Sequence, residues 1–456
     1  MSAGGEEFAI DPATVREWKR YPAYKDSGVE WLGEVPAGWE VSSIKRHFLV
    51  QLGKMLQSEP SDPGDKLMPY LRAANISWEK ILVDDIKEMW FSESEKERYR
   101  IENGDLLVSE GGDVGRATLW NGELDECYIQ NAINRVRSRN GALTSHLHYW
   151  LYFLKHVDYI DMLCNKATIA HYTAEKVMNT VYFRPPLPEQ HAIAAFLDRE
   201  TARLDALIAK KQRFIELLEE KRQALITQAV TKGLDPDAEM KDSGVAWIGE
   251  VPAHWQLTRL GHLSTLQTGL TLGKRYDDDQ PLVTRPYLRV ANVQEGYFDL
   301  DTITEIRIPP ENVKRYELLS GDVLMTEGGD YDKLGRGHVW EGQIPGCLHQ
   351  NHIFAVRPSP SKLKPHFLAA VTTSSHGKNY FTSTSQQTTN LATTNSTKLQ
   401  SLPVPVPPIP EQEEIIAFIR KQNTIIQGLI IKVRTSSDKL REYRTALISA
   451  AVTGNI

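Results

Sequence analysis

The 456-residue sequence is poor in cysteine, and Cys127, Cys164 and Cys347 stand far apart. Such isolated thiols exclude a disulfide framework and a closed zinc site. They fit a reducing compartment, so a cytoplasmic location is expected. No apolar run reaches the ~18 residues of a membrane-spanning helix, and no membrane partner is expected. The opening MSAGGEEFAIDP is polar and acidic, unlike a signal peptide. Excess positive charge is also missing: the formal net charge is −6. That argues against a simple electrostatic nucleic-acid binder, but leaves room for local basic patches or for partners that supply the charge. At 41% hydrophobic and 25% charged residues, the composition is that of a soluble globular protein of two or three domains.

Catalytic motifs are lacking too. The Pro-Pro pairs, Pro185-Pro186, Pro309-Pro310 and Pro407-Pro408, do not form the acidic or amide Pro-Pro-aromatic tetrad of an amino-methyltransferase. GLTLGKRY (269–276) has the wrong glycine spacing for a phosphate loop, with Arg275 where Ser or Thr belongs. PDAEMK (236–241) imitates a nuclease motif but is compressed into a linker, where its carboxylates cannot share a metal from adjacent strands. EGGDVG (110–115) and EGGDYD (327–332) read as tight turns, because their carboxylates would repel phosphate. His146 and His148, two apart on an expected helix, face different sides. No catalytic residue, metal site or cofactor is expected in this chain.

What the sequence does contain, it contains twice. KDSGVEWLGEVPAGW (25–39) recurs as KDSGVAWIGEVPAHW (241–255), identical at twelve of fifteen positions. Further matches follow in order. PYLRAANI (69–76) pairs with PYLRVANV (286–293), and GDLLVSEGGDVGRATLW (104–120) with GDVLMTEGGDYDKLGRGHVW (321–340). YIQNAINRVR (128–137) pairs with LHQNHIFAVR (348–357), and FRPPLPEQ (183–190) with PVPPIPEQ (405–412). The chain is a tandem duplication. Short alternating runs with Gly-Asp punctuation predict β-rich halves with a few helices, one of them over 145–162.

After each PEQ the pattern turns helical. Apolar residues recur in steps of four and three: Ile193, Leu197, Leu204, Leu207, Leu218 and Leu225 in the first copy, and Ile415, Ile419, Ile426, Leu429, Leu440 and Leu447 in the second. That is a coiled-coil seam. Each helix would reach about 65 Å. Antiparallel pairing suits the short linker between the copies, giving a rod with a similar head at either end. The expected divisions are an arm (1–24), a β-rich domain (25–185), a helix and linker (186–240), a second β-rich domain (241–406) and a second helix (407–456). The fold class is α+β.

The remaining side chains suit DNA. Arg72, Asn75, Gln130 and Asn131 recur as Arg289, Asn292, Gln350 and Asn351, and Arg135 lies in a run without acids. Arg reads guanine, and Asn or Gln reads adenine, through paired hydrogen bonds in the major groove. Residues shared by both copies also suit packing, so base reading is expected where the copies differ. QLGKMLQSEP (51–60), with Lys54, faces QTGLTLGKRYDDD (267–279), with Lys274 and Arg275. NKATIAHY (165–172), with Lys166, Thr168 and His171, faces STSQQTTN (383–390), with Gln386 and Gln387; the second copy also inserts Tyr331, Asp332 and Lys333. Trp31, Trp39, Trp247 and Trp255 of the repeated motif are packing or partner-docking residues.

This arrangement of YLRxAN, GDxLxxEGGD and PPxPEQ motifs, doubled over nearly the whole chain, resembles the specificity subunit of type I restriction–modification systems. The resemblance implies two target recognition domains, each reading one half of a split, asymmetric target in double-stranded DNA, with the paired helices fixing the spacing. It implies two methylation subunits and up to two restriction subunits as partners. S-adenosylmethionine, ATP and Mg would be needed only there. A competing expectation is a scaffold whose two heads bind proteins instead of DNA; a third, a fused methyltransferase or nuclease, lacks the motifs.

Overall fold

The computed structural model describes residues 20–164, 170–273, 276, 279–294, 296–329, 334–335, 337–387 and 392–456. The chain divides into two compact units. One holds the chain through Lys210 together with Thr435–Ile456; the other holds Lys211–Arg434. Each unit therefore combines one β-rich half with a stretch of each long helix.

In the first unit a four-stranded antiparallel sheet runs in the order Phe48–Leu52, Ile133–Ser138, Leu106–Ser109, Ala117–Leu119. Leu106–Ser109 is buried at every position. An inner strand covered on both faces has no solvent side, which is why GDLLVSE carries no polar alternation. A three-stranded sheet places Lys66–Leu71 between antiparallel Lys87–Phe91 and parallel Tyr128–Ile129. The helix Thr144–His156 buries Leu147, Trp150, Leu151 and Leu154. It is shorter than the expected 145–162: Asp158 adopts a left-handed φ of 57°, and Tyr159–Leu163 forms a separate helix. Asp is one of the few residue types other than glycine that visit that conformation routinely.

The second unit repeats these elements. Its four-stranded sheet is ordered Ser264–Thr268, Ile353–Pro358, Val323–Thr326, Gly337–Val339. Val283–Leu288 lies between antiparallel Thr304–Ile308 and parallel Leu348–His349. The α+β duplication read from the sequence is the fold.

The repeated motif and the PEQ motif explain one another. Tyr24–Asp26 pairs with Glu34–Pro36, and Met240–Asp242 with Glu250–Pro252. The next residue but two in each case, Trp39 or Trp255, is buried. Trp39 Nε1 donates to Glu189 at 2.9 Å, and Trp255 Nε1 to Glu411 at 3.0 Å. Beside them Gln190 and Gln412 are fully buried. Each Gln donates to a carbonyl of the proline run, Pro185 at 2.8 Å or Pro407 at 2.9 Å, and accepts from Leu143 or Lys364. The start of each long helix is thereby fixed to its own β-rich half. Trp39 and Trp255 are thus packing residues and not docking residues.

The helices end on the same motif. A Cβ on Gly233, at φ 76°, would meet Trp255 and Pro252; one on Gly454, at φ 74°, would meet Pro36 and Trp39. Tyr24 Oη donates to the carbonyl of Gly454 at 2.9 Å. Residues 453–456 thus meet the first copy, within the first unit, as residues 231–234 meet the second copy within the second unit. Of the expected arm, Tyr21 and Tyr24 are described and belong to this junction, Tyr21 Oη donating to Glu189; residues 1–19 lie outside the described residues.

The long helices are Leu187–Lys232 and Ile409–Val452. In the first unit Ile193, Leu197 and Leu204 share a core with Leu447, Ile448 and Val452, and Arg444 meets Asp205 at 2.9 Å. In the second, Ile215 and Leu218 pack with Ile426 and Ile430, and Ala229 and Val230 share a core with Ile415 and Ile419. Low numbers meet high numbers in each unit, so the pairing is antiparallel. Leu225 and Leu440 are partly buried at the seam. The expected frame fails at two places: Leu207 and Leu429 are exposed, while Ile215 and Ile430 are buried. A straight helix of ~3.6 residues per turn drifts from a strict heptad, so the buried stripe moves by one position.

Candidate nucleic-acid interface

Three segments that the sequence nominated separately meet the Glu-Gly-Gly-Asp turn at one edge of the first unit. Lys54 N–H donates to Ile129 O at 2.9 Å, and Asn131 N–H to Lys54 O at 2.8 Å. Glu110 N–H donates to Ala132 O at 2.9 Å, and Tyr172 N–H to Glu110 O at 2.8 Å. The loop after Leu52, the Gln-Asn turn, the Glu-Gly-Gly-Asp turn and the end of the 165–172 segment are therefore stitched together by backbone. Gly53 makes the approach possible, since a Cβ there would lie 2.3 Å from the Gln130 carbonyl oxygen.

The second unit builds the same edge. Leu270 N–H donates to His349 O at 2.8 Å, Asn351 N–H to Leu270 O at 3.1 Å, Glu327 N–H to His352 O at 2.9 Å and Thr394 N–H to Glu327 O at 2.8 Å. A Cβ on Gly269 would lie 2.1 Å from the His349 carbonyl oxygen. Here Gln386–Gln387 pairs with Ala392–Thr393, which pairs in turn with Gly328–Gly329 of the Glu-Gly-Gly-Asp turn.

Several nominated side chains are scaffold instead. Asn75 and Asn292 are buried. Asn75 Oδ1 accepts from Arg72 N–H at 2.9 Å, and its Nδ2 donates to Leu82 O and Asp85 O. Asn292 repeats this with Arg289 N–H, Asp299 O and Thr302 O. Neither amide has an edge left for a base. Arg72 is held by Asp85 at 2.6 Å. Lys54 is buried, donates to Trp90 O at 2.8 Å and pairs with Glu95, with its ammonium over the Phe91 ring. Arg135 donates to Arg100 O, and burial pulls its guanidinium below the ordinary range. Arg137 and Arg357 grip Asp105 and Asp322 through two hydrogen bonds each, which explains why GD and the distant Arg both recur.

Others stand at the edge with unused hydrogen-bonding groups. Among the described residues, the half-buried Gln130 and Asn131 give their backbone to the edge, and no side-chain partner holds their amides. Gln350 Oε1 accepts from Val290 N–H at 3.1 Å, leaving its NH2 unengaged. His171 is exposed, its ring beside Gly111. The guanidinium of Arg289 is half-buried, without the Asp partner that pins Arg72. Lys166, Thr168, Lys274, Arg275 and Lys333 lie outside the described residues, as do the side chains of Gln386 and Gln387.

The sequence reading missed His352. It is exposed, accepts from Asn351 Nδ2 at 3.3 Å through Nε2, and donates from Nδ1 to Glu327 at 2.6 Å. The first copy has Ala132 there, so the difference between IQNA and HQNH was the available signal. Trp31 and Trp247 are 40% and 45% exposed, unlike their buried neighbours. Trp31 rests on Tyr159 with ring centroids 4.9 Å apart, and Trp247 Nε1 donates to His376 at 3.0 Å. No group of three or more His, Cys, Asp or Glu among the described residues is placed to hold a metal, and no described helix is long and apolar enough to cross a membrane.

Comparison with known proteins gives a consistent picture. The family model for a type I restriction modification DNA specificity domain matches residues 36–217 and again 252–434. The type I restriction enzyme StySPI specificity subunit of Salmonella potsdam is 22% identical over 438 residues, covering 93% of this chain and 90% of that one. The putative type I restriction enzyme MjaX specificity subunit of Methanocaldococcus jannaschii is 25% identical over 181 residues, which cover 39% of this chain and 42% of that subunit. A solved chain, described in terms of complex assembly and conformational transition of the type I R-M system, superposes with a TM-score of 0.67 at 17% identity, over 92% of this chain and 99% of that one. At that identity the likeness speaks for the fold.

Proposed function

The chain belongs to the type I restriction modification DNA specificity family, and we propose on that premise that each unit reads one half of a bipartite, asymmetric target in double-stranded DNA. The observation that carries this reading is the edge built twice from the same backbone bonds but dressed with different side chains. Arg, Asn, Gln and His at such an edge recognise bases by hydrogen bonds in the major groove. Gln130, Asn131 and His171 serve one half-site; Gln350, Asn351, His352 and Arg289 serve the other. The paired long helices set the number of base pairs between the two readings.

Catalysis belongs to partners. Two methylation subunits using S-adenosylmethionine would methylate adenine N6 on a base flipped from the duplex. Up to two restriction subunits would add ATP- and Mg-dependent cleavage. The exposed Trp31 and Trp247, and the exposed helix residues Leu207 and Leu429, support docking surfaces that occur once per copy.

The test is genome-wide mapping of N6-methyladenine with and without the gene. A two-part motif with a fixed gap should vanish on deletion. Replacing residues 40–185 should then change one side of the motif only. A methylome that is unchanged in cells expressing the neighbouring subunits overturns the reading, and one methylation subunit per complex at saturation overturns the paired docking surfaces.

A further inference from the structure

We propose that Leu56 and Leu272 are apolar wedges that press into the base stack of the target duplex from the loops beside the reading edges. The inference rests on the DNA-recognition reading above and assigns a role that hydrogen-bonding side chains cannot fill.

The loop after Leu52 is fixed at both ends. On one side Gly53 packs on Gln130, and both backbone groups of Lys54 bond to the edge. On the other, Gln57 O accepts from Trp90 N–H at 3.3 Å, and Gln57 Nε2 donates to Ser61 Oγ at 2.8 Å. Met55 and Leu56 span these fixed points and are 74% and 57% exposed. Neither joins an apolar cluster among the described residues. The second copy follows the same register. Gly269 packs on the backbone of His349 and Gln350. Leu270 is buried, and its carbonyl accepts from Tyr287 Oη at 2.6 Å and from Asn351 N–H at 3.1 Å. Leu272 is then 45% exposed, three residues after its glycine as Leu56 is after Gly53.

Single exposed leucines are ordinary on protein surfaces. These two are set apart by their position. Loops of otherwise different sequence keep a leucine side chain in solvent at the same step, three residues after the glycine that packs on the Gln130 or Gln350 backbone. An aliphatic group gains nothing from phosphate, and nothing from base edges except a thymine methyl. It gains most by entering a base step, where it unstacks the pair and kinks the duplex. Unstacking beside the site would also ease extrusion of the base that a methylation subunit modifies.

The experiment uses the full chain assembled with its methylation subunits, and a duplex carrying the motif found by methylome mapping, with fluorophores at both ends. Leu56→Ser, Leu272→Ser and the double variant are compared with wild type. Each single change is expected to weaken specific binding about tenfold. The slope of log affinity against log salt should stay unchanged, since no phosphate contact is lost, and the end-to-end distance should lengthen as the kink relaxes. Leu56→Met should restore affinity and bend. Unchanged affinity and bend in the double variant overturn the proposal. So does an equal loss for wild type when thymines are replaced by uracil, which would make the contact a methyl contact in the groove. A marked drop in melting temperature in the variants overturns the free-standing role of these side chains. Failure of the wild-type complex to bind the motif duplex sinks the DNA reading itself, a distinct outcome from a wild type that binds and variants that match it.

Discussion

The indole N–H of Trp39 donates to the carboxylate of Glu189 at 2.9 Å, joining two motifs 150 residues apart. The carboxylate also accepts from Tyr21 Oη, and burial, reinforced by Glu189, raises the Tyr21 phenol well above its ordinary value. Glu189→Leu should cost about 1–3 kcal/mol, because it strands a buried donor. Trp39→Ala should cost about 3–5 kcal/mol. Denaturant unfolding checks both. A Glu189→Leu protein within about 0.5 kcal/mol of wild type would show that the bond is incidental.

Scaffold and reading residues should separate in mutants. Asn75→Ala and Asn292→Ala lose three internal hydrogen bonds each, so stability should fall while the methylated motif stays the same. Gln130→Ala with Asn131→Ala should leave melting nearly unchanged and lose about 1–3 kcal/mol of discrimination for each base contacted, on one half-site only. Methylome mapping of each variant, paired with its melting curve, tells the classes apart. A motif altered by Asn75→Ala would return that residue to the reading set.

The seam makes a paired prediction. Leu204→Ala and Ile430→Ala remove buried side chains and should cost about 2–5 kcal/mol each. In the isolated chain, Leu207→Ala and Leu429→Ala should stay within about 0.5 kcal/mol. If the two exposed leucines dock a partner, the same changes should weaken assembly with the methylation subunit, measured by native mass.

Buried histidines set an acid limit. Burial lowers His146 to about 3 and His148 to about 4, and His349, also lowered by burial, to about 4. All three are neutral in the folded chain at neutral pH. Below the ordinary value of 6.5 the unfolded chain binds protons that the folded chain refuses. Stability is therefore intact above about 6.5 and falls as pH drops toward about 4, by about 1.4 kcal/mol per pH unit for each histidine. Melting scans from pH 7 to pH 4.5 should show this slope, and His349→Asn should make it shallower. An unchanged slope in that variant would mean that His349 does not contribute.

Much of the fold could be read because the chain states it twice. KDSGV, GEVP and PEQ recur with their spacing, and their identity reflects one junction made of Trp, Glu and Gln. The seam was legible as a stripe but not in frame, since a heptad count cannot follow the drift that exchanges Leu429 for Ile430. The scaffold role of Asn75, Arg72 and Lys54 was hidden for another reason. Their partners, Leu82, Asp85 and Glu95, are chosen by the turn of the chain in space and leave no spacing rule behind. The two edges were visible only as loops that differ between the copies. Their convergence rests on backbone bonds between segments such as Lys54 and Ile129, which no side-chain pattern records.

Those same backbone bonds bear on how such a protein changes over generations. Every residue type offers the N–H and C=O groups that hold Lys54, Glu110, Asn131 and Tyr172 at the edge, proline alone lacking the N–H. Exposed side chains at these loops, His171 among them, can therefore drift without unmaking the support beneath them. The changes that would unmake it include proline at a donating position, any side chain at Gly53 or Gly269, and loss of the buried Lys54 or Tyr172 side chain. On the reading proposed above, a lineage carrying this architecture would acquire a new target by substitution at the exposed edge residues, while selection on stability watches a different set of residues.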